Sequence, residues 1–241
     1  RSKLSKRHGA VSVREYRNQG YLPEALTNYL ALLGWNPGTE TEMFSLPELI
    51  TLFEVAHIHK SAAVFDTEKL NWFNHEYIRR LPTEAFRTIV ENFLPDTIKC
   101  LPDYTPARLT AILSLIRERT TLLSDIRALA ERGEVTYFFE RPAINPQKLL
   151  WKEDVNAENA KKHLAYIAQT LNAVARDTFS AALVREALWE YATSEGRGSV
   201  LWPMRYALSG REKSPDPFTL AEIFGKEETL ARLAAASATI E

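Results

Sequence analysis

Apolar residues recur along this chain at spacings of three and four, the period of a helix that buries one face. Leu26, Tyr29, Leu30 and Leu33 follow Pro23, which suits a first helical turn, and Gly34 can close the helix behind them. Ser45 and Glu48 make a capping-box signature ahead of Leu49, Ile50 and Phe53. Asp66 heads a helix with Leu70, Phe73 and Tyr77 on one face, and Trp72 is assigned to the core beside them. Phe86, Ile89, Val90 and Phe93 mark the next helix. Thr105-Pro106 then starts a long one, whose face runs through Leu109, Ile112, Ile116, Leu123, Ile126 and Leu129 to a stop at Gly133.

The pattern lapses between Gly133 and Pro146. Val135 to Phe139 is β-branched and aromatic and prolines follow, so a linker or short extended segment is expected there. Helix resumes with Asn156 as N-cap for Leu164, Ile167, Leu171 and Val174, continues from about Ser180 to Ser194 with Gly196 as a stop, and ends in short helices over Ser199–Leu208 and Pro217–Phe224. The fold class predicted is mainly all-α, with a few short strands admitted only near the N-terminus. Gly20 to Tyr29 looks like part of a tetratricopeptide unit, but no second copy follows at the spacing of about 34 residues that a solenoid requires.

Composition narrows the class without identifying it. The 241 residues have room for one large domain or two small ones, at roughly 100–200 residues per domain. With 45% hydrophobic and 25% charged residues the chain falls in the globular class, not the disordered one. No apolar run approaches the roughly 18–20 residues of a membrane span, and the basic N-terminus lacks the apolar segment of a signal peptide, so a cytoplasmic location is expected. Cys100 is the single cysteine, which excludes an internal disulfide; it is assigned to partly buried apolar space. His57, His59 and His75 lack a carboxylate or cysteine at ligand spacing, so no metal site is expected.

The net charge of −1 argues against a uniformly basic coat, yet the charges are unevenly placed. Arg1, Lys3, Lys6, Arg7, Arg14 and Arg17 face only Glu15 at the start of the chain, and Arg197, Arg205, Arg211 and Lys213 form a second basic cluster. In the first, Lys3-Leu4-Ser5-Lys6-Arg7-His8-Gly9 offers ammonium, hydroxyl and backbone donors suited to a polyphosphate. On charge alone, a solvated basic end is the simpler reading.

The order of residues favours the phosphate reading, because Lys-Leu-Ser-Lys-Arg resembles the second signature loop of class I aminoacyl-tRNA synthetases in its glutamyl-tRNA synthetase form. Three further blocks resemble that family in the same order: Tyr16 through Leu30 to Trp35; Phe65 through Asn74 with Tyr77-Ile78-Arg79; and Trp202 through Gly210 with Leu230-Ala231-Arg232-Leu233. Together they span nearly the whole chain, which is similar to the C-terminal portion of a bacterial glutamyl-tRNA synthetase beginning at the loop.

The resemblance implies a loop and stem-contact region over residues 1–80 and an α-helical anticodon-binding region over 81–241, with a subdivision admitted near 141–146. The Rossmann catalytic domain is absent and expected upstream. Lys3, Ser5 and Lys6 would bind ATP, with Mg, only in the full enzyme, where Lys3 and Lys6 act catalytically by placing positive charge where negative charge develops. The fragment alone is expected to be inactive and to hold no cofactor tightly. Its implied partner is tRNA-Glu, with no membrane and no DNA, and it is expected to be a monomer.

Within the same resemblance, Arg119, Arg205, Ser214, Pro215 and Phe218 contact the anticodon, and Lys69, Asn74 and Arg79 contact the tRNA stem. Plainer readings stay open beside these: Arg119 as a solvated arginine paired with Glu118 or another neighbour, Arg205 as a cap on a helix C-terminus, and Lys69, Asn74 and Arg79 as a helix's ordinary solvent face, the favoured reading for any one of them. Lys213-Ser214 is no phosphate loop, since Glu212 stands where a glycine is required. The competing function is a free-standing helical adaptor that binds protein; RNA binding would differ from it in falling steeply with salt.

Overall fold

Capping chemistry sets where several of the helices begin. The computed structural model describes residues 12–59, 63–152 and 157–240. The helices are α1 Val13–Gln19, α2 Pro23–Gly34, α3 Leu46–Leu52, α4 Thr67–Arg80, α5 Thr83–Phe93, α6 Asp96–Lys99, α7 Pro106–Glu118, α8 Ser124–Glu131, α9 Ala157–Ala173, α10 Ala181–Glu195, α11 Arg197–Ser209 and α12 Pro217–Ser237. Pro23 occupies the first turn of α2, and both halves of the Ser45–Glu48 capping box form at α3. The Asp66 carboxylate accepts from the N–H groups of Glu68 and Lys69, Ser180 caps α10, and Asp216 caps α12. Each supplies an acceptor to backbone donors that the first helical turn leaves unpaired. The fold is all-α; among the described residues the extended pairing near the N-terminus amounts to one bridge, Trp35 to Ile58.

The helices collect into two units. The first holds the described residues up to Asp96 together with Ile112–Arg132; the second holds Thr97–Ala111 and the described residues from Gly133 onward. In the first, α2 packs on α4 around Tyr21, Leu26, Tyr29, Leu70 and Phe73, and a neighbouring cluster holds Trp35, Phe44 and Leu49. Two asparagines are buried within this core. Asn28 accepts from the Phe44 N–H at 2.7 Å and donates to the Glu42 carbonyl, while Asn74 accepts from the Leu22 N–H at 2.8 Å and donates to the Thr121 carbonyl at 2.6 Å. Buried amides are tolerated where such partners exist.

In the second unit α9, α10, α11 and α12 pack against one another. Leu164, Ile167, Leu171, Leu188, Met204 and Leu220 are among its fully buried side chains. The last helix runs past Phe224 to Ser237, with a break at Gly225, whose φ of 75° lies in the left-handed region.

Several expectations are corrected. The helix predicted from Thr105 to Gly133 is two helices. Between them the Thr120 hydroxyl donates back to the Ile116 carbonyl, and the Asp125 carboxylate accepts the N–H groups of Thr121 and Leu122. The stretch after Gly133 is not a linker: Thr136–Phe138 is a 3-10 turn, and Tyr137, Phe138 and Phe139 are buried, Phe138 lying 5.9 Å from the Phe224 ring. Trp72 is not core; it is 46% exposed because α4 buries the face carrying Leu70, Phe73 and Ile78. Cys100 is exposed. Asn156, expected as a cap, lies outside the described residues. Among those residues no helix is long and apolar enough to cross a membrane.

Candidate nucleic-acid interface

Arg205 sits on α11 between side chains that are buried, yet is itself only half-buried. Its guanidinium lies 4.7 Å from the centre of the Trp202 ring and donates to the Glu212 carbonyl at 2.9 Å. Trp202 is fixed in turn, its indole N–H donating to the Lys148 carbonyl at 2.9 Å. Lys148 also donates to the Glu212 carboxylate, holding that carboxyl below its ordinary range. The carbonyl that Arg205 engages belongs to the loop after α11, so the arginine holds the loop and does not cap a helix end.

Two glycines make this packing possible. Gly210, with φ of 64°, ends α11, and a Cβ there would lie 2.5 Å from Pro142. A Cβ on Gly198 would lie 2.4 Å from the indole of Trp151. Trp151 therefore rests on the backbone of α11, 5.5 Å from Trp202. The result is a cleft of about 240 Å³ lined by Trp151, Arg197, Trp202, Arg205 and Pro217. Flat rings beside a stacked guanidinium are the groups that receive an unstacked base.

The structure brings Ser214 and Pro215 to the same loop. Ser209 accepts from the Arg211 N–H at 3.2 Å and lies 3.1 Å from the Ser214 hydroxyl. Phe218 follows in the first turn of α12, only 9% exposed, with its N–H on Asp216.

Beneath the loop lies a residue whose role the helical pattern did not show. Arg232 is 2% exposed, and its guanidinium donates to the carbonyls of Tyr137 at 2.8 Å, Leu208 at 2.7 Å and Glu140 at 3.3 Å. It also donates to Glu228 and stacks 3.9 Å from the centre of Phe224. Leu208 is near the C-terminus of α11, so Arg232 fixes the point from which the Arg205 loop departs. A glutamate four residues earlier on the same helix was the available signal.

Arg141 grips the same Glu228 carboxylate with two hydrogen bonds, at 3.0 and 2.7 Å. Burial alone would raise the Glu228 carboxyl; the hydrogen bonds and charges of the two arginines outweigh it and hold the group below its usual range. A depressed carboxyl contributes stability that is fully present above its unfolded value, about 4.3, and is lost as pH falls through the lower folded value. Glu228→Gln should therefore lower stability at neutral pH and flatten its decline below about pH 4, as read from urea midpoints between neutral and acid pH. Parallel acid limbs for the two proteins would refute the coupling.

In the first unit α4 presents Lys69 and Arg79 at the surface, paired with Glu42 and with Glu76. Exposed pairs of this kind are worth about 0–1 kcal/mol, so a phosphate can exchange for the carboxylate. Asn74, expected on the same RNA-facing surface, is corrected: it has no accessible surface and its amide ties Leu22 to Thr121. Arg119 is exposed just beyond α7. Arg117, two residues before it, stacks 4.7 Å from Phe86 and donates to the Arg79 carbonyl. Lys3, Ser5 and Lys6 lie outside the described residues.

Residues 83–237 match the model of the anticodon binding domain, and residues 1–72 match that of the class I tRNA synthetase (E and Q) catalytic domain. The chain is 38% identical over 236 residues to the glutamate–tRNA ligase of Clostridium tetani, covering 96% of this chain and 46% of that protein. The enzyme of Moorella thermoacetica is 35% identical over 245 residues, covering 97% and 47%. A solved glutamate–tRNA ligase from Elizabethkingia meningosepticum, in complex with its amino acid, superposes with a TM-score of 0.77 at 28% identity, covering 100% of this chain and 49% of that one. The chain spans about half the length of the curated relatives it matches. It belongs to the anticodon binding domain family, in the form found in the glutamyl branch of the class I tRNA synthetases.

Proposed function

We propose that this chain is the tRNA-binding C-terminal part of a glutamate–tRNA ligase and recognises the anticodon and inner face of tRNA-Glu. The observation that carries the reading is Arg205, held 4.7 Å from the centre of the Trp202 ring and lining one cleft with it and with a second tryptophan, Trp151. Single-stranded bases are recognised by stacking on such planes while arginine donors read their edges. Arg119, Ser214, Pro215 and Phe218 complete the anticodon contacts, and Lys69 and Arg79 meet the stem, in a region ending near residue 80. The domain models that stop at residue 72 and start at residue 83 support that division.

The ligases of this family are ATP-dependent, and Lys3, Ser5 and Lys6 would hold the nucleotide with Mg in the complete enzyme, with Lys3 and Lys6 supplying charge to the phosphates. The described residues contain no group of three or more His, Cys, Asp or Glu able to hold a metal ion. The work assigned to this half is binding: it selects and positions the tRNA as a monomeric cytoplasmic unit, and glutamylation needs the catalytic domain.

Arg205→Ala and Arg119→Ala should each weaken binding of a tRNA-Glu transcript by about 1–3 kcal/mol and relax discrimination at one anticodon position. Fluorescence titration against the same transcript with each anticodon base replaced checks this. Equal losses on cognate and altered transcripts would sink the base-reading role. Binding that ignores both anticodon and salt would favour a protein adaptor instead.

A further inference from the structure

Beside the Arg205 cleft, the second unit carries another arginine–tryptophan arrangement that the anticodon reading does not use. Trp189 on α10 is half-buried, and two guanidiniums, those of Arg185 and Arg197, each lie 4.4 Å from the centre of its ring. Arg185 comes from one turn earlier on α10 and Arg197 from the start of α11. Both arginines are exposed, and among the described residues neither has a carboxylate at ion-pair distance. Arg79, Arg87, Arg141, Arg176 and Arg232 all have one.

Two cations gathered on one ring repel each other, and the ring attraction only partly offsets this. An anion shared between them removes the repulsion, and planar guanidiniums suit the paired oxygens of a phosphate. The groove they line is open and about 960 Å³, which suits a passing polymer backbone better than a small anion. Glu186 and Glu190 line it too, so the groove is no general sink for negative charge; only a phosphate placed at the arginines gains. Arg197 also lines the cleft with Trp151, Trp202 and Arg205, which makes the two surfaces continuous.

We propose that Arg185 and Arg197, aligned by Trp189, clamp a backbone phosphate of the same RNA whose bases meet Arg205. The inference rests on the tRNA-binding reading, and the test separates the two. A tRNA-Glu transcript and its anticodon-altered counterpart are titrated against the wild type, the double variant Arg185→Gln/Arg197→Gln, Trp189→Leu and Arg205→Ala at several salt concentrations. The double variant should bind both transcripts roughly tenfold more weakly, with a salt dependence shallower by about 0.7 in log–log slope for each phosphate no longer neutralised. Trp189→Leu keeps both charges and should retain the slope while weakening affinity severalfold.

Unchanged affinity and slope in the double variant, with discrimination still lost in Arg205→Ala, would overturn the clamp and leave the anticodon reading standing. Loss confined to the cognate transcript would also overturn it, since that is base reading. A wild type that binds both transcripts equally would instead remove the anticodon reading on which the clamp depends.

Discussion

Arg232→Ala should destabilise the second unit by about 3–5 kcal/mol, the range for removing one partner of a buried ion pair. The change strands the carbonyls of Tyr137, Leu208 and Glu140 without their donor and leaves Glu228 with Arg141 alone. It also opens a void beside Phe224. Whole domains are stable by only about 5–15 kcal/mol, so this single side chain accounts for a large share. Arg232→Met fills much of the volume but restores no donor and should recover only a minor part. Hydrogen exchange over residues 133–150 and 200–240 reads the loss where it occurs. A cost below about 1 kcal/mol would show that the carbonyls find other partners.

The consequence for RNA is specific. Arg232 fixes Leu208 and the turn at Tyr137, so its loss loosens the loop that Arg205 holds through Glu212. Anticodon discrimination should decline even where the variant remains folded.

Gly20→Ala should cost the first unit about 2–4 kcal/mol, from a left-handed backbone combined with overpacking. Gly20 has φ of 95°, and a Cβ there would lie 2.6 Å from the Leu123 nitrogen and 2.7 Å from that of Ser124. Both neighbours are backbone and cannot swing aside. The approach is close because the Gly20 carbonyl accepts the Leu123 N–H at 3.0 Å and the Ser124 hydroxyl donates to the Gln19 carbonyl at 2.7 Å. Gly34→Ala is the control: nothing lies within 4 Å of its added Cβ, and it should be neutral or slightly stabilising. Denaturant midpoints of the two variants decide the matter; equal midpoints would show that the contact at Gly20 yields easily. Since the segment after α7 carries Arg119, the Gly20 change should also weaken reading of the anticodon base assigned to that arginine.

What the sequence made legible follows the range of the interactions. Ser45 with Glu48, Pro23, Asp66 and Ser180 act within one helical turn, and each marks its boundary correctly. The break after Glu118 depends on Asp125 reaching back to two N–H groups, which an apolar count from Leu109 to Leu129 does not register. Phe138 is buried by Phe224, far along the chain, so its own neighbourhood reads as a linker. Asn74 was legible in principle: the periodicity that puts Leu70 and Ile78 inside also puts position 74 inside, and polarity obscured it. At the interface the individual arginines were visible, whereas the rings beneath them were not. Trp151 meets α11 only because Gly198 lets it, a contact with no local trace.

Cys100 has one more use. As the only thiol in the chain and an exposed one, it accepts a maleimide dye at a single place in the second unit without prior removal of other cysteines. Energy transfer from that dye to a labelled anticodon loop would measure where the RNA lies on the protein, and so distinguish docking along the arginine–tryptophan surface from any other approach.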